Sequence, residues 1–285
     1  MQIVRLSEEN VYDYEQYLGV DLCEELERRF YRGIVAIDEA IGEAVGGIIF
    51  ELHNLEDEDK DIVSRIEWFR EDKEGAGKEL LEEYTQMVRE EGAARSVFDI
   101  PFDRQRPERR ILKESGFSAK LYEGDEIFVT MEKMENMPIV KKRIDTSKVI
   151  PVEELTVRQF RKAIDKCIEH RRTGLLEDIK YLNMQWFDTE ISTCVLNGSD
   201  IAGLLLFKRH ASGRVSLKLI AGFGAGAQLN IAAMMKASVL LAAQKYPSET
   251  EVVLRRHTDA TILLTEKLFP TTIGYPVYRG ERAEG

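Results

Sequence analysis

Cysteine and histidine are scarce in this chain of 285 residues, which has three of the former and four of the latter. Cys23, Cys167 and Cys194 are an odd number at wide spacing. Such spacing is typical of reduced cysteines and excludes a disulfide framework or a zinc knot. The histidines are equally scattered, so we expect no metal site.

Long hydrophobic runs are also missing. The longest apolar run, 231–243, is interrupted by Lys236 and is shorter than a bilayer requires. The first residues, MQIVRLSEEN, have neither the basic start nor the apolar stretch of a signal peptide. These features predict a cytoplasmic protein that does not enter a membrane.

Basic residues are outnumbered by acidic ones, 40 to 51, which gives a formal net charge of -11. Because a protein that binds nucleic-acid phosphates needs a basic surface, we expect no nucleic-acid partner. A composition of 44% hydrophobic and 32% charged residues is typical of a globular protein. The length allows one large domain or two ordinary ones.

Hydrophobic periodicity predicts strands and helices in alternation over the first 133 residues. The helix after Gly77 is the clearest element, because Leu80, Leu81, Tyr84 and Val88 fall on one face. Strands are predicted at 2–6, 34–37, 45–52, 63–69, 96–100, 120–122 and 127–131, and the last two are expected to pair as a hairpin. Further helices are predicted at 8–17, at 22–31 and from Pro107 onward.

The pattern lapses in MEKMENMPIVKKRIDTSK and then returns in the same order. We therefore predict a domain at 1–133, a linker at 134–148 and a second domain at 149–285. In the second domain Thr156 is a good N-cap for a helix at 156–170, and Asn197-Gly198 is a strong hairpin turn. Its other elements are strands at 191–196, 201–208, 215–220 and 252–254 and helices at 228–245 and 260–268.

Short matches between the two halves occur in the same order. GEAVGGIIF aligns with GSDIAGLLL without a gap, Gly-Ala-Gly occurs at 75–77 and at 224–226, and RILKESGF aligns with LLTEKLFP. Each Gly-Ala-Gly lies between a predicted strand and a long helix. The order of the matches predicts a duplication.

The stretch WFREDKEGAGKELLEEY places glycines where a helix begins, although glycine weakens a helix. Glycine there lets a ligand approach the backbone, and at a helix N-terminus that ligand is often a phosphate. A Walker loop is excluded, because Asp72 stands where its first glycine belongs and Glu79 where its hydroxyl belongs. A helix that begins with glycines and binds nothing remains an alternative.

A dinucleotide fingerprint is a competing interpretation in the second half. The residues GFGAGA at 222–227 satisfy Gly-x-Gly-x-x-Ala between a strand and a helix, and Arg255-Arg256 could accept a 2′-phosphate. Against NADP binding, the preceding strand is expected to belong to an antiparallel series rather than to open a βαβ unit.

The order strand, two helices, three antiparallel strands, helix, strand, helix, strand resembles the GNAT superfamily of N-acetyltransferases. The segment 72–77, DKEGAG, matches the family's cofactor loop, Arg/Gln-x-x-Gly-x-Gly/Ala, at both glycines but not at its first position. Ser115-Gly116-Phe117 matches the Gly-Phe close of the last helix. The resemblance implies an α/β (α+β) fold of two tandem GNAT-like domains. Each would be a mainly antiparallel mixed sheet, flanked by helices and splayed near the cofactor loop.

The resemblance also implies acetyl-CoA as cosubstrate, with its pyrophosphate at the helix N-terminus and its pantetheine arm along the fourth strand. The acidic residues Glu71, Asp72 and Glu74 oppose the charge of nearby lysines. The cofactor-binding residues implied are Phe69, Arg70, Lys73, Glu74, Gly75, Ala76, Gly77 and Lys78.

A carboxylate on the fourth strand often removes the amine proton in this family, and the resident carboxylate is Glu67, with Asp99 as second candidate. The alternative is that Glu67 only faces solvent. The family's general acid, a tyrosine in the last helix, is replaced by Leu112 and in the second half by Thr265. A CoA-binding or interaction protein without catalysis is therefore the alternative function.

The second loop, AGFGAGAQLN, has no basic residue, and its helix is apolar nearly all round. We expect a degenerate second domain whose helix packs against the first half or against a second copy in a homodimer. The acceptor is expected to be a small-molecule or peptide amine. The acidic segment 56–61 would attract a cationic amine, although charge runs are usually only solvated.

Overall fold

The computed structural model describes residues 1–54, 60–198, 200–256 and 258–284, which form two compact units. The first unit combines Met1–Gly124 with Tyr275–Gly285, and the second unit is Asp125–Gly274. Most of the acidic segment 56–61 lies outside the described residues. The mixed α/β class expected from the sequence is confirmed.

In its described residues, the first unit begins with six strands and four helices. The strands are β1 (Gln2–Arg5), β2 (Tyr31–Asp38), β3 (Glu43–His53), β4 (Ile62–Glu71), β5 (Ala93–Pro101) and β6 (Lys120–Glu123). The helices are α1 (Glu15–Leu18), α2 (Val20–Leu26), α3 (Ala76–Glu90) and α4 (Glu108–Glu114). A 3-10 turn precedes α1, so the first two helices are shorter than predicted.

The second unit follows a similar order. Its strands are β7 (Glu126–Thr130), β8 (Val149–Pro151), β9 (Thr193–Asn197), β10 (Asp200–Arg209), β11 (Val215–Gly222) and β12 (Glu251–Arg255). Its helices are α5 (Met131–Glu135), α6 (Pro138–Lys141), α7 (Val157–Glu169), α8 (Ala227–Lys245) and α9 (Asp259–Leu268). A capping box of Thr156 and Gln159 starts α7, which confirms the predicted N-cap.

A strand from the end of the chain completes the first unit. This strand, β13 (Pro276–Ala283), lies between β5 and β6 in the sheet order β1-β2-β3-β4-β5-β13-β6 and is antiparallel to both neighbours. The second sheet has the order β7-β12-β11-β10-β9-β8. The predicted hairpin of 120–122 with 127–131 is therefore wrong, because β6 and β7 belong to different sheets.

The predicted linker 134–148 is part of the second unit. Met131, Met134 and Met137, on and just after α5, are buried in the hydrophobic core that also contains α8 residues. Helices α5 and α6 both pack on α8. Part of the apolar surface of α8, predicted to meet the first half or a second copy, is thus covered within its own unit, whereas Leu229 and Leu240 on the same helix are exposed. The units also divide the chain at other positions than the predicted boundaries at 133 and 149.

The fully buried Tyr84 on α3 joins two strands of the first unit. Its hydroxyl contacts the hydroxyls of Ser64 on β4 (2.8 Å) and Ser96 on β5 (2.7 Å). The Phe50 ring also packs edge-on against the Tyr84 ring, with 4.9 Å between the ring centres. Together these contacts fix the end at which the parallel strands β4 and β5 are paired. The opposite ends of these strands are where they separate.

All three cysteines are free and buried. Within the described part of the chain, no helix combines the length and the apolar character needed to cross a bilayer.

Candidate cofactor and active site

The central parallel strands of the first unit separate along their length. β4 and β5 pair in parallel only as far as Ile66 opposite Phe98. Beyond that point β4 remains paired with β3 as far as Glu71, and β5 with β13 as far as Pro101. The two strands therefore open a cleft between them, which leaves one backbone edge of each strand for a ligand in extended conformation. The splay predicted near the loop is present.

The second unit opens in the same way. β11 and β12 pair in parallel from Val215 opposite Val252 to Leu217 opposite Leu254. β11 then continues along β10 to Gly222. β11 belongs to an antiparallel series, as expected, because it pairs antiparallel with β10. The expectation that it does not open a βαβ unit is wrong, because α8 joins the parallel pair β11 and β12. The parallel pairing nevertheless covers only three residue pairs.

A β-bulge marks the same place in both clefts. The register between β3 and β4 shifts next to Ile66 and leaves Glu67 as the extra residue of β4. The register between β10 and β11 shifts after Leu217 and leaves Lys218 as the extra residue. Bulges often re-aim a side chain beside an active site. The candidate base of the first unit is thus matched by a lysine in the second.

The structure places Glu67 and Asp99 on the two strands that separate. The Glu67 side chain is 17% exposed, and its carboxylate lies 3.8 Å from the Arg65 guanidinium, so it does not simply face solvent. Asp99 accepts hydrogen bonds from Arg279 on β13, from Nε at 3.0 Å and from Nη2 at 2.5 Å. Because its Oδ2 accepts both of these hydrogen bonds from a guanidinium, Asp99 is the poorer proton acceptor of the two.

The predicted pyrophosphate position of the first unit holds a side chain of the same chain. The Glu71 carboxylate accepts a hydrogen bond of 2.5 Å from the backbone N–H of Gly77, in the first turn of α3. Both residues are buried. A backbone N–H at a helix N-terminus is the group that a phosphate oxygen would use. At Gly77 a carboxylate oxygen already has this place.

The cations around the first loop are also engaged by carboxylates. Asp72 forms ion pairs with Arg70 (2.7 Å) and Arg106 (3.0 Å) and accepts a hydrogen bond from the Tyr17 hydroxyl (2.8 Å). Burial opposes ionisation of Asp72, but the hydrogen bonds from Tyr17 and the two arginines lower its pKa below the ordinary value. Lys73 forms a 2.6 Å ion pair with Asp38.

The other predicted loop residues divide between buried and exposed positions. Ala76 is buried, whereas Glu74, Gly75 and Lys78 are exposed. Phe69, at the end of β4, packs into the core of the first unit. The structure thus brings the predicted cofactor residues together around the start of α3, but Arg70 and Lys73 arrive there already paired.

Gly77 is a glycine for a reason that the sequence does not reveal. A Cβ atom at this position would lie 2.7 Å from the Glu71 carboxylate and 2.9 Å from the Ile111 side chain. In the second unit, counted from the bulge residue, Gly222 takes the place of Glu71. A Cβ atom on Gly222 would lie 2.6 Å from the Ala227 carbonyl oxygen. The first unit therefore needs a glycine on the helix side of its loop, whereas the second unit needs a glycine on the strand side.

The two Gly-Ala-Gly stretches are not equivalent in the structure. The N–H of Ala76 donates to the Lys73 carbonyl, and that of Ala227 donates to the Gly224 carbonyl in the same turn. Lys73 therefore matches Gly224, Glu74 matches Ala225, and the N-cap Gly75 matches the N-cap Gly226. The sequence match is two residues out of register.

The loop of the second unit is open. Gly224, Ala225 and Gly226 are exposed, and a Cβ atom on Gly224 would meet no atom within 4 Å. Gly224 has φ +74°, a conformation that favours glycine. The N-cap residue of the long helix α8 is Gly226, which has no side chain to cap the helix. The loop thus offers backbone groups without an acidic neighbour in its own sequence.

A cation that the sequence analysis missed lies beside this loop. Phe223 is buried, with the Lys166 ammonium 5.1 Å and the His170 ring 5.3 Å from the centre of its ring. Both residues belong to the end of α7, far from the loop in sequence. Lys166 also donates to Asp200 and to the Ile201 carbonyl, which holds it against the β10 strand.

No family model and no curated protein sequence matches this chain. Solved structures match along its whole length. A tandem GNAT protein from the clavulanic acid biosynthesis pathway has a TM-score of 0.66 at 10% identity, over 100% of this chain and 98% of its own. A putative acetyltransferase from Pyrococcus horikoshii has a TM-score of 0.57 at 12% identity, over 99% and 89%.

The chain has a tandem GNAT fold. A GCN5-related N-acetyltransferase from Anabaena variabilis also matches, with a TM-score of 0.50 at 15% identity, over 100% of this chain and 73% of its own. The two splayed clefts and the two loops described above lie in the part of the chain that these structures match. The predicted fold is confirmed.

Neither unit has a tyrosine at the position in its last helix where the resemblance places one. Leu112 on α4 is fully buried. Thr265 on α9 is also buried, and its hydroxyl donates to the carbonyls of Thr261 and Ile262 in its own helix. If a thiolate leaves either cleft, its proton must come from another group or from water.

Proposed function

We propose that this protein is an acetyl-CoA-dependent N-acetyltransferase that transfers the acetyl group to an amine, either a small molecule or a peptide. The tandem GNAT fold supports this class of reaction. The observation that carries the proposal is the second unit's cleft, where a splayed strand ends in an exposed glycine loop at the start of a long helix. A pyrophosphate needs such backbone donors, and a pantetheine arm needs an unpaired strand edge.

The contacts favour the second unit as the cofactor site, against the expectation from sequence. In the first unit, the Glu71 carboxylate takes the Gly77 N–H, and Arg70 and Lys73 are paired with aspartates. In the second unit, no charged residue occurs between Gly222 and Ala227. The competing cofactor site is the one that the sequence predicts in the first unit. It consists of Phe69, Arg70, Lys73, Glu74, Gly75, Ala76, Gly77 and Lys78.

The reaction is a nucleophilic substitution at the thioester. The neutral amine attacks the acetyl carbonyl carbon, the C–N bond forms, the C–S bond breaks, and CoA leaves as a thiolate. The ammonium of the tetrahedral intermediate loses one proton, which can neutralise the thiolate. In the second unit the bulge position carries Lys218, whose ammonium cannot take this proton, so water does. In the first unit, Glu67 would take it.

The cofactor site is tested by exchanging the matched loop residues Ala225 and Glu74. We expect acetyl-CoA at a hundred times its Kd to stabilise the parent by about 2.7 kcal/mol, which raises the melting temperature by several degrees. Ala225→Glu places a carboxylate where the pyrophosphate binds and should abolish this rise. Ala225 is exposed and has no left-handed backbone, so the variant should fold. The reverse exchange, Glu74→Ala, should leave the rise unchanged.

Glu67→Gln is the companion variant for turnover. With the cofactor in the second unit, we expect its turnover to stay within a few-fold of the parent. A loss on the order of a hundredfold would identify Glu67 as the base and the first unit as the site. No melting shift with acetyl-CoA in the parent would contradict the proposal, and a shift with NADPH alone would favour the dinucleotide interpretation.

The missing general acid favours one alternative, a CoA-binding protein without catalysis. Leu112 and the internally bonded Thr265 stand where the family has a tyrosine. The two functions differ in the release of CoA thiol. Release that depends on an added amine, above the rate of hydrolysis, indicates the enzyme, whereas binding without release over a broad amine panel indicates the alternative.

A further inference from the structure

Glu71 is a buried carboxylate at the mouth of a cleft, only 8% exposed. Its oxygen lies 2.5 Å from the Gly77 nitrogen at the positive end of the 15-residue helix α3. We infer that Glu71 occupies the place of a phosphate group, so that the first unit contains a second, closed site for the diphosphate of coenzyme A. The nature of the ligand rests on the proposed function, whereas the closure rests on this contact.

The comparison between the two units shows that Glu71 is a feature of the first loop alone. The loops have equal length from the end of the strand to the start of the helix, with Glu71 and Ala76 in one and Gly222 and Ala227 in the other. In the first unit the glycine lies at Gly77, where it makes room for the carboxylate. In the second unit the glycine is at Gly222, and Gln228 follows where Gly77 stands. The two loops are therefore alternative arrangements of one site.

A second contact holds the closed arrangement in place. The backbone N–H of Glu71 donates to the carboxylate of Glu108 on α4 at 3.2 Å. Arg106 lies between Glu108 (3.7 Å) and Asp72 (3.0 Å). Removing only the Glu71 side chain would free the Gly77 N–H and leave Arg106 beside Glu108. Because Asp72, Glu74 and Glu108 would remain, we expect the opened site to bind more weakly than the site of the second unit.

The test measures how many molecules of coenzyme A bind per chain, by calorimetry. Coenzyme A without an acetyl group is the probe, so that no turnover interferes. We expect one molecule for the parent, none for Ala225→Glu, two for Glu71→Gly, and one for the double variant. Glu71→Gln is the matched control, because its amide oxygen can still accept from the Gly77 N–H. It should add no site.

The double variant decides the inference. If it retains the parent's circular dichroism and yet binds no coenzyme A at millimolar concentration, Glu71 does not close a site. Binding of one molecule to Ala225→Glu with Glu71 in place would also overturn the inference, because the first unit would then be open. If Glu71→Gly disturbs folding, Glu71→Ser removes the same contact while keeping a Cβ atom in the strand.

Failure of the proposed function has a different signature. A parent that binds nothing, together with a Glu71→Gly variant that binds one molecule, would reject the site in the second unit and support the closure. A parent that binds one molecule, together with a Glu71→Gly variant that still binds one, would support the second-unit site and overturn the closure.

Discussion

Glu108 is a second buried carboxylate beside Glu71, and it makes stability depend on pH. Burial is the main cause that raises its pKa above the ordinary value, although the Glu71 N–H and Arg106 oppose this effect. The folded protein thus takes up a proton at Glu108 at a higher pH than the unfolded chain. A group of this kind makes the fold more stable as pH falls through its folded-state pKa and less stable as pH rises.

We predict that Glu108→Gln raises the melting temperature at pH 7. The amide removes the cost of a buried charge, and its oxygen can still accept from the Glu71 N–H. The gain should shrink as the pH is lowered toward the ordinary glutamate pKa, where the parent is itself protonated. Melting curves from pH 7 to pH 4.5 measure this trend. Glu114→Gln, on the same helix with a side chain 69% exposed, should show no such trend.

At the scale of single residues, the sequence analysis named the residues of the first loop but not the side chains that they contact. The group close to the backbone at Gly77 is the Glu71 carboxylate, whereas the sequence analysis expected a phosphate there. A glycine that admits a phosphate and one that admits a carboxylate look the same in a sequence, so Glu71 was seen only as an opposing charge. Lys166 was missed because its proximity to Phe223 depends on the packing of α7 against the second loop.

At the scale of elements, β13 is the strand on which the first sheet depends. Gly280 pairs opposite Phe98 on β5, and the Ser118 backbone crosses directly over it. A Cβ atom on Gly280 would overlap the Ser118 carbonyl oxygen and lie 2.8 Å from the Phe98 ring. The strand could accept a side chain there only by moving away from its neighbours.

We therefore predict that Gly280→Ala destabilises the first unit by about 1–3 kcal/mol or more, since this is the usual cost of overpacking a core. The free energy of unfolding in urea measures the loss. Ala283→Ser, at an exposed position of the same strand, should change it little. Equal stability of Gly280→Ala and the parent would mean that β13 does not insert at this register.

The predicted elements themselves were mostly correct, from β1 through α3 and from α7 through α9, because hydrophobic period and capping residues are local signals. Pairing is not local. The alternation in 120–122 and 127–131 identified two strands, but it could not show that β6 pairs with β13 and β7 with β12. The methionine-rich segment around Met134 gave no clear period because its helices are only four and five residues long.

At the scale of the whole molecule, each unit contains a piece of chain from the other half of the sequence. The first unit takes β13, and the second unit takes β7, α5 and α6 from before Arg143. The exposed segment around Arg143 can be cut without removing any of these elements. The fragments 1–143 and 144–285 would then each supply a strand to the sheet of the other.

We predict that the chain cut after Arg143 by an engineered protease site still elutes in size-exclusion chromatography as one species of about the uncut mass. The fragments should separate only in denaturant, because each sheet is completed by antiparallel pairing with the other fragment. Elution as two separate folded fragments in native buffer would contradict the exchange of strands. The same cut in the Gly280→Ala variant should weaken the association.

The exchange of strands also affects how the protein is made. The position between β5 and β6 in the sheet is occupied by residues 276–283. These residues leave the ribosome only after the whole second unit has been synthesised. At the usual 5–20 residues per second, the roughly 150 intervening residues take about 8 to 30 seconds. For that time the nascent first unit exposes two unpaired strand edges, which are sites of aggregation. Its yield in cells should therefore depend on elongation speed and on chaperones that shield these edges.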